Sequence, residues 1–438
     1  MIPRFLLIML CLAALSGTVW AETAELPAQP LSADDAVAYG LTHNRVLRAS
    51  EYDVEAANQK VRQAQADYLP KVEGDYAFTH LSEQPFFAIN GERIPSAHQT
   101  TNKWEVGLTQ PLFKGGGLSA QVESSKTGLK IAERGKDATR LDVVRNIRQA
   151  FWHTLLAEKL LMVARDNVNS LEVHRRNAEA NFKQGLAAQN DVLKAEVALA
   201  QAKQSERQFA KQLEILRSSL NRLLDLDLQT KLTLKDDELK PGDLPALDSL
   251  CAKAEETRPE YLSLKDSIRQ TEDAEKAARS RYYPQVSAFA RYEREGEDFI
   301  AERNDYSNND NAAVGVRVDW NLFEGGKTDA TVKEQRARRA GLQERLRDLK
   351  HGVCIEVEDS FEQARVARAN IDTARSALAQ AEENERMTSL QYREQMVIFL
   401  EVLNAQVFLA QTKVDYYRAV YGYRTALADL ERAVGSGG

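Results

Sequence analysis

The chain has 438 residues, a length that accommodates two or three domains, and a formal net charge of −7. That acidic balance excludes general nucleic-acid binding, which needs a basic face. Only 11 prolines, set among abundant Ala, Gln, Glu, Arg and Leu, favour long helices over a loop-rich domain.

The N-terminus carries Arg4, an apolar run from Phe5 to Leu15, and smaller residues ending Val19-Trp20-Ala21. This is the pattern of a secretory leader, so residues 1–21 are expected to be a signal peptide cut after Ala21. The run is too short to cross ~30 Å of hydrocarbon as a helix. Cys11 lies within it with no small residues just before it, so lipidation is not expected. Cys251 and Cys354 fall in helical segments far apart in sequence. Export would permit a bridge, but one distant pair makes no framework, and both are read as small buried apolar residues.

The first helix is expected from Ser32 to about Tyr68, where Pro70 stops it. The period then becomes two: Val72, Gly74, Tyr76 and Phe78 alternate with Glu73, Asp75 and Thr79. A polar stretch follows to Lys103, after which Trp104, Val106 and Leu108 alternate with Glu105, Gly107 and Thr109. Strands of about ten residues with one apolar face and aromatic ends suit a transmembrane β-sheet. Beyond Gly117 the pattern is helical for about 65 residues, a rod of roughly 100 Å. A turn near Gly185 breaks it. The next helix carries a 3-4 seam through Val192, Ala195, Leu199, Ala202, Glu206, Phe209, Leu213, Leu216, Leu220 and Leu223, broken in polarity only by Glu206, the signature of coiled-coil packing.

The same series then repeats. Tyr68-Leu69-Pro70-Lys71-Val72 returns as Tyr282-Tyr283-Pro284-Gln285-Val286, and Leu112-Phe113-Lys114-Gly115-Gly116 as Leu322-Phe323-Glu324-Gly325-Gly326. Asp191-Val192-Leu193 returns as Glu401-Val402-Leu403, with Phe182 matched by Tyr392. The expected units are 22–240 and 241–434, joined at the Pro- and Gly-punctuated Lys240–Pro245, with 435–438 as a disordered tail. The expected fold class is mainly α with a transmembrane β-barrel portion, continued by a long coiled-coil tunnel. Four strands do not close a barrel, and open edges in lipid leave backbone groups unpaired. Three copies give twelve strands, whereas two give a tight eight with no lumen.

No constellation for catalysis emerges, and no cofactor is expected. Gly325-Gly326-Lys327-Thr328 resembles the end of a phosphate loop, but Asn321 stands where the leading glycine belongs, so both glycine pairs are read as strand-to-helix junctions. His43, His80, His98, His153, His174 and His351 show no metal-ligand spacing.

The order Tyr-x-Pro-x-Val, Gln110-Pro111-Leu112-Phe113-x-Gly115-Gly116, then Phe182-x-x-Gly185 with Asp191-Val192-Leu193, present twice, resembles the TolC-like outer membrane efflux proteins. The resemblance runs from about Leu31 to Val434. It implies a homotrimer in outer-membrane lipid, serving as the exit duct of a tripartite efflux or type I secretion system. Its partners would be a periplasmic adaptor and an inner-membrane pump, with no nucleic acid. It also implies a periplasmic aperture at Tyr392, Glu401, Leu403 and Asn404. Adaptor-contacting tips are implied at Gly185, Leu186, Asp191 and Val192, and at Gln395, Met396 and Val402. Val397 and Asn404 depart from the charged residues found in that family's best-known member, which leaves a thinner closing network. A periplasmic coiled-coil scaffold or adaptor is the alternative, and the alternating strand pairs between helices count against it.

Overall fold

The computed structural model describes residues 29–237, 242 and 244–437; the expected leader, and Lys240, Pro241 and Asp243 of the expected Lys240–Pro245 link, lie outside them. Two short helices, α1 (Ala33–His43) and α2 (Arg45–Ala66), open the first half in place of the single helix expected. Asn44 divides them. Its backbone is extended, and its side-chain oxygen accepts from the N–H groups of Val46 and Leu47, capping α2. In the second half α5 (Leu247–Thr257) and α6 (Pro259–Arg279) are divided at Arg258, with Pro259 at the first helical position, where a missing N–H costs nothing.

Strand β1 (Lys71–His80) pairs with β4 (Thr100–Lys114). Between them the polar stretch folds into a small hairpin, β2 (Phe86–Ile89) and β3 (Glu92–Pro95). The second half contributes β5 (Gln285–Gly296) and β6 (Asp310–Asp319). All pairs are antiparallel and the order is β1-β4-β5-β6, so the two halves join edge to edge through β4 and β5. A bulge between Pro111 and Phe113 bends β4 near its end.

Each sheet half feeds a helix of 67 residues, α3 (Gly117–Lys183) or α7 (Lys327–Arg393), about 100 Å at 1.5 Å per residue. Gly116 and Gly326, both left-handed, hold the N-cap positions, as expected for strand-to-helix junctions. The chain returns as α4 (Gln189–Leu223) and α8 (Phe399–Val434). The hairpins α3/α4 and α7/α8 lie side by side, joined through α3 and α8. Among the described residues, no helix is long and apolar enough to cross a membrane.

The largest core cluster sits where α1, α3, α4 and α8 converge and includes Ile147, Phe151, Leu155, Leu220, Leu224 and Tyr421. A parallel bridge between Leu31 and Leu234 closes its edge. The equivalent cluster in the second half contains Val353, Val357, Ile371 and Tyr423. Beside it, Cys251 and Cys354 form a disulfide between α5 and α7, contrary to the expectation of two unpaired thiols. The reason is tertiary: α5 lies along α7, which brings the two Cα atoms to 5.2 Å across 103 residues of sequence. Residues 435–437 of the expected tail pack onto the helices. Gly435 adopts a left-handed C-cap, the Ser436 N–H donates to the Glu431 carbonyl, and Gly437 lies against Leu141.

Candidate functional site

The sheet has two chemically distinct faces. On one, Val72, Val106, Leu108, Val314, Val316 and Val318 follow one another across the strand register and stay exposed, with the half-buried Ala290 between Leu108 and Val314. On the other, the Lys103 ammonium reaches Glu293 at 3.0 Å and Glu105 at 3.4 Å, and Arg291 lies 3.9 Å from Glu105. Period-two alternation produces both faces, since neighbouring side chains point oppositely. Aromatic side chains gather at the strand ends. Tyr76, Trp104 and Phe299 pack together at one end, with the Trp104 indole donating to the Phe299 carbonyl. Trp320, Leu322 and Phe323 are exposed at the other. Such belts mark membrane–water boundaries.

At the far end of the rods the two turns are built alike. Gly185 has φ +74°, and its N–H donates to the Phe182 carbonyl while Leu186 donates to Asn181. In the second turn Gln395 takes φ +61°, donating to Tyr392, and Met396 donates to Gln391. Both are Schellman-type caps, a geometry that favours glycine at the left-handed position. Leu186 and Met396 project into solvent, at 64% and 73% exposure.

The expected aperture and tip residues separate into two groups. Glu401 and Asn404 are exposed, Asp191, Val192 and Tyr392 are half-buried, and Gly185, Leu186, Gln395 and Met396 form the exposed turns. Val402 and Leu403 are instead 1% and 6% exposed, so neither is presented at the surface of the protomer. Leu403 belongs to the seam with Val168, Leu171, Ala195, Leu199 and Phe399. Helical phase puts Glu401 and Asn404 on the outer side of α8 and turns Leu403 inwards.

A crevice of about 710 Å³ separates the two turns, lined in part by His174, Asn181, Asp191, Tyr392 and Gln395. The sequence reading missed its floor, where Phe399 packs at a tilt against Tyr392 (centroids 5.6 Å) and edge-on to His174 (6.4 Å). An aromatic residue at the start of α8, where α4 has Gln189, was the available signal. Burial holds the His174 imidazole below its ordinary pKa, with Glu385 acting the other way. Among the described residues no cluster of His, Cys, Asp and Glu has the geometry of a metal site.

Comparison with known proteins agrees with this architecture. The outer membrane efflux protein family model matches twice, at residues 40–225 and 250–436, once for each half. The chain is 22% identical over 413 residues to the cation efflux system protein CusC of Escherichia coli K12, covering 92% of this chain and 86% of that one. It is 21% identical over 403 residues to the outer membrane protein TolC of Salmonella enteritidis, covering 90% and 79%. Among solved structures, the CmeC outer membrane channel of Campylobacter jejuni shares the fold with a TM-score of 0.79 at 18% identity, over 92% of this chain and 86% of that one.

Proposed function

The chain belongs to the outer membrane efflux protein family, and from that membership we propose that three copies form the passive exit duct of a tripartite export machine. Its place is the outer membrane, and its role is that of a channel component in efflux or secretion. One observation carries the trimeric reading: the sheet has a bare apolar face, a charged face, and unpaired edges at β1 and β6. In hydrocarbon each orphaned backbone group costs several kcal/mol, so the edges must meet other strands. Three copies supply twelve strands around a lumen lined by the Lys103, Glu105, Arg291 and Glu293 side. A soluble scaffold would leave the Val314–Val316–Val318 row bare in water.

The tips carry the partner contacts in this reading. Leu186 and Met396 present apolar side chains at exposed turns, suited to a helical hairpin of a periplasmic adaptor, which in turn joins an inner-membrane pump. Glu401 and Asn404, exposed beside the second turn, are the side chains available to ring an aperture on a threefold axis, with Tyr392 packed behind them. Three carboxylates at one constriction attract cations.

Light scattering in detergent should give a three-chain mass, and the purified protein should form pores in a planar bilayer. Recovery as a soluble monomer from osmotic-shock fluid would overturn the duct reading. For the gate, Glu401→Gln should weaken cation selectivity, while Tyr392→Ala should raise resting conductance more. Unchanged selectivity in Glu401→Gln would remove Glu401 from the aperture and leave the duct itself standing.

A further inference from the structure

We propose that neighbouring copies meet through α7 of one and α4 of the next, across a polar seam in which Glu362 faces Lys211 of the next copy. The inference rests on the trimeric duct reading and adds a residue-level register to it. Its basis is the internal duplication. Helices α3 and α7 are the same length, and α4 and α8 nearly so, with equivalent residues 210 apart throughout. Within one chain, α3 of the first half packs on α8 of the second. Moved on by one repeat, that junction becomes α7 against the repeat mate of α8, which is α4 of another copy.

Exposure supports the transfer. Leu403 on α8 is 6% exposed because α3 covers it, whereas its mate Leu193 on α4 is 53% exposed. Helix α6 is wedged between α3 and α7, but its mate α2 packs mainly on α3 and leaves Tyr52 70% exposed. An open groove of about 610 Å³ runs along α7 and α8 and includes Asn370, Thr373 and Ala377. These are the mates of Leu160, Val163 and Asn167, all of which face α8. The surfaces left open are those the repeat requires to be covered.

The chemistry of the two seams differs. Inside the chain the middle of the junction is apolar: Leu160, Val163 and Val414 cluster, and Trp152 lies beside Tyr421, ring centroids 6.5 Å apart, with Arg148–Glu431, Asp142–Arg432 and Asn167–Gln406 bonding across it on either side. Between copies the mates of that cluster are Asn370, Thr373 and Gln204, and the mates of the aromatic pair are Glu362 and Lys211. Arg424, which stacks on Trp152, has Glu214 as its mate, and Glu214 is held by Arg217 on its own helix. Glu362 is bound by Arg365 one turn away, at an exposed site. Lys211 thus stands opposite Glu362 where the repeat places two rings 6.5 Å apart, with Glu214, neutralised by Arg217, in the place of Arg424. Such a seam sets register and is screened by salt more than the apolar middle of the internal one.

Cysteine trapping tests the register in the full-length trimer. Thr373→Cys with Gln204→Cys copies the Val163–Val414 contact across the boundary; oxidation should give covalent dimers and trimers on a non-reducing gel. Light scattering of the same sample shows whether the trimer is intact. An intact trimer whose introduced cysteines stay unlinked overturns the register and leaves the duct reading standing. Wild-type protein that is not trimeric overturns both. Charge exchange gives a second readout. Lys211→Glu should lower the temperature at which the trimer dissociates, and adding Glu362→Lys should bring it back. A Lys211→Glu protein with wild-type dissociation at low and high salt overturns the pairing.

Discussion

The disulfide shows how one residue pair acquires its role from the repeat. The first-half mates of Cys251 and Cys354 are Val37 and Val144, both buried in the core beneath α1. A van der Waals contact in one half is therefore a covalent bond in the other, and α5 otherwise buries only Leu250 and Ala254. The double variant Cys251→Val/Cys354→Val should keep the fold and lose about 2–4 kcal/mol, the typical worth of such a link. A thiol reductant should lower the melting temperature of the wild type and leave that of the variant unchanged. His174 supplies a pH dependence. Burial lowers its pKa from the ordinary 6.5, so the packed tip favours the neutral ring. The unpacked state then binds more protons, and packing stability falls as pH drops from about 6.5 towards the lowered value. Pore conductance should rise over that window, and His174→Gln should flatten the response. Conductance that follows pH identically in the variant would assign the effect elsewhere.

Among elements, the two hairpin turns are a natural internal control. They share a Schellman-type geometry, yet one has Gly185 and the other Gln395 at the left-handed position. Open space surrounds the Cβ direction at Gly185, so a side chain there is opposed by backbone conformation rather than by a clash. The cost of a left-handed L-residue is roughly 1–2 kcal/mol. Gly185→Val should therefore loosen the first tip and Gln395→Gly should firm the second, read as opposite changes in amide exchange at 182–188 and 392–398. If export in a cell-based assay survives Gly185→Val undiminished, the first tip is not a working contact.

Viewed as a whole molecule, the protomer is incomplete at both ends. The sheet has open edges, and α2, α4 and α7 carry uncovered flanks that a neighbouring copy would fill. The apolar face gives the sharpest test of membrane placement. Val316→Arg should cost about 2–4 kcal/mol if the residue lies near the bilayer midplane. Replacing the neighbouring Arg317, which points to the other face, by Lys should leave assembly intact. Heat-modifiable migration of the trimer on gels distinguishes the two. Equal tolerance of both changes would mean that the Val314–Val318 row does not meet lipid.

Sequence alone settled whatever is local or periodic. The duplication, the two-residue alternation of the strands, the 3-4 seam of α4 and the break near Gly185 all come from residue spacing, because backbone geometry imposes those periods, while the turn at Gln395 came from the family resemblance. The halt at Asn44 was legible in principle, since an asparagine readily caps the helix after it, but continuous helical phase on either side hid it. Tertiary structure decided which surfaces meet. Periodicity gives the phase of an apolar stripe but not its partner, and only the tertiary structure shows Leu403 packed with Val168 and Leu171 of α3. The same holds for Cys251 and Cys354, whose pairing depends on α5 lying along a helix 103 residues away. Contacts between segments so distant in sequence are fixed by the lateral order of the hairpins, and no spacing within either hairpin encodes that order.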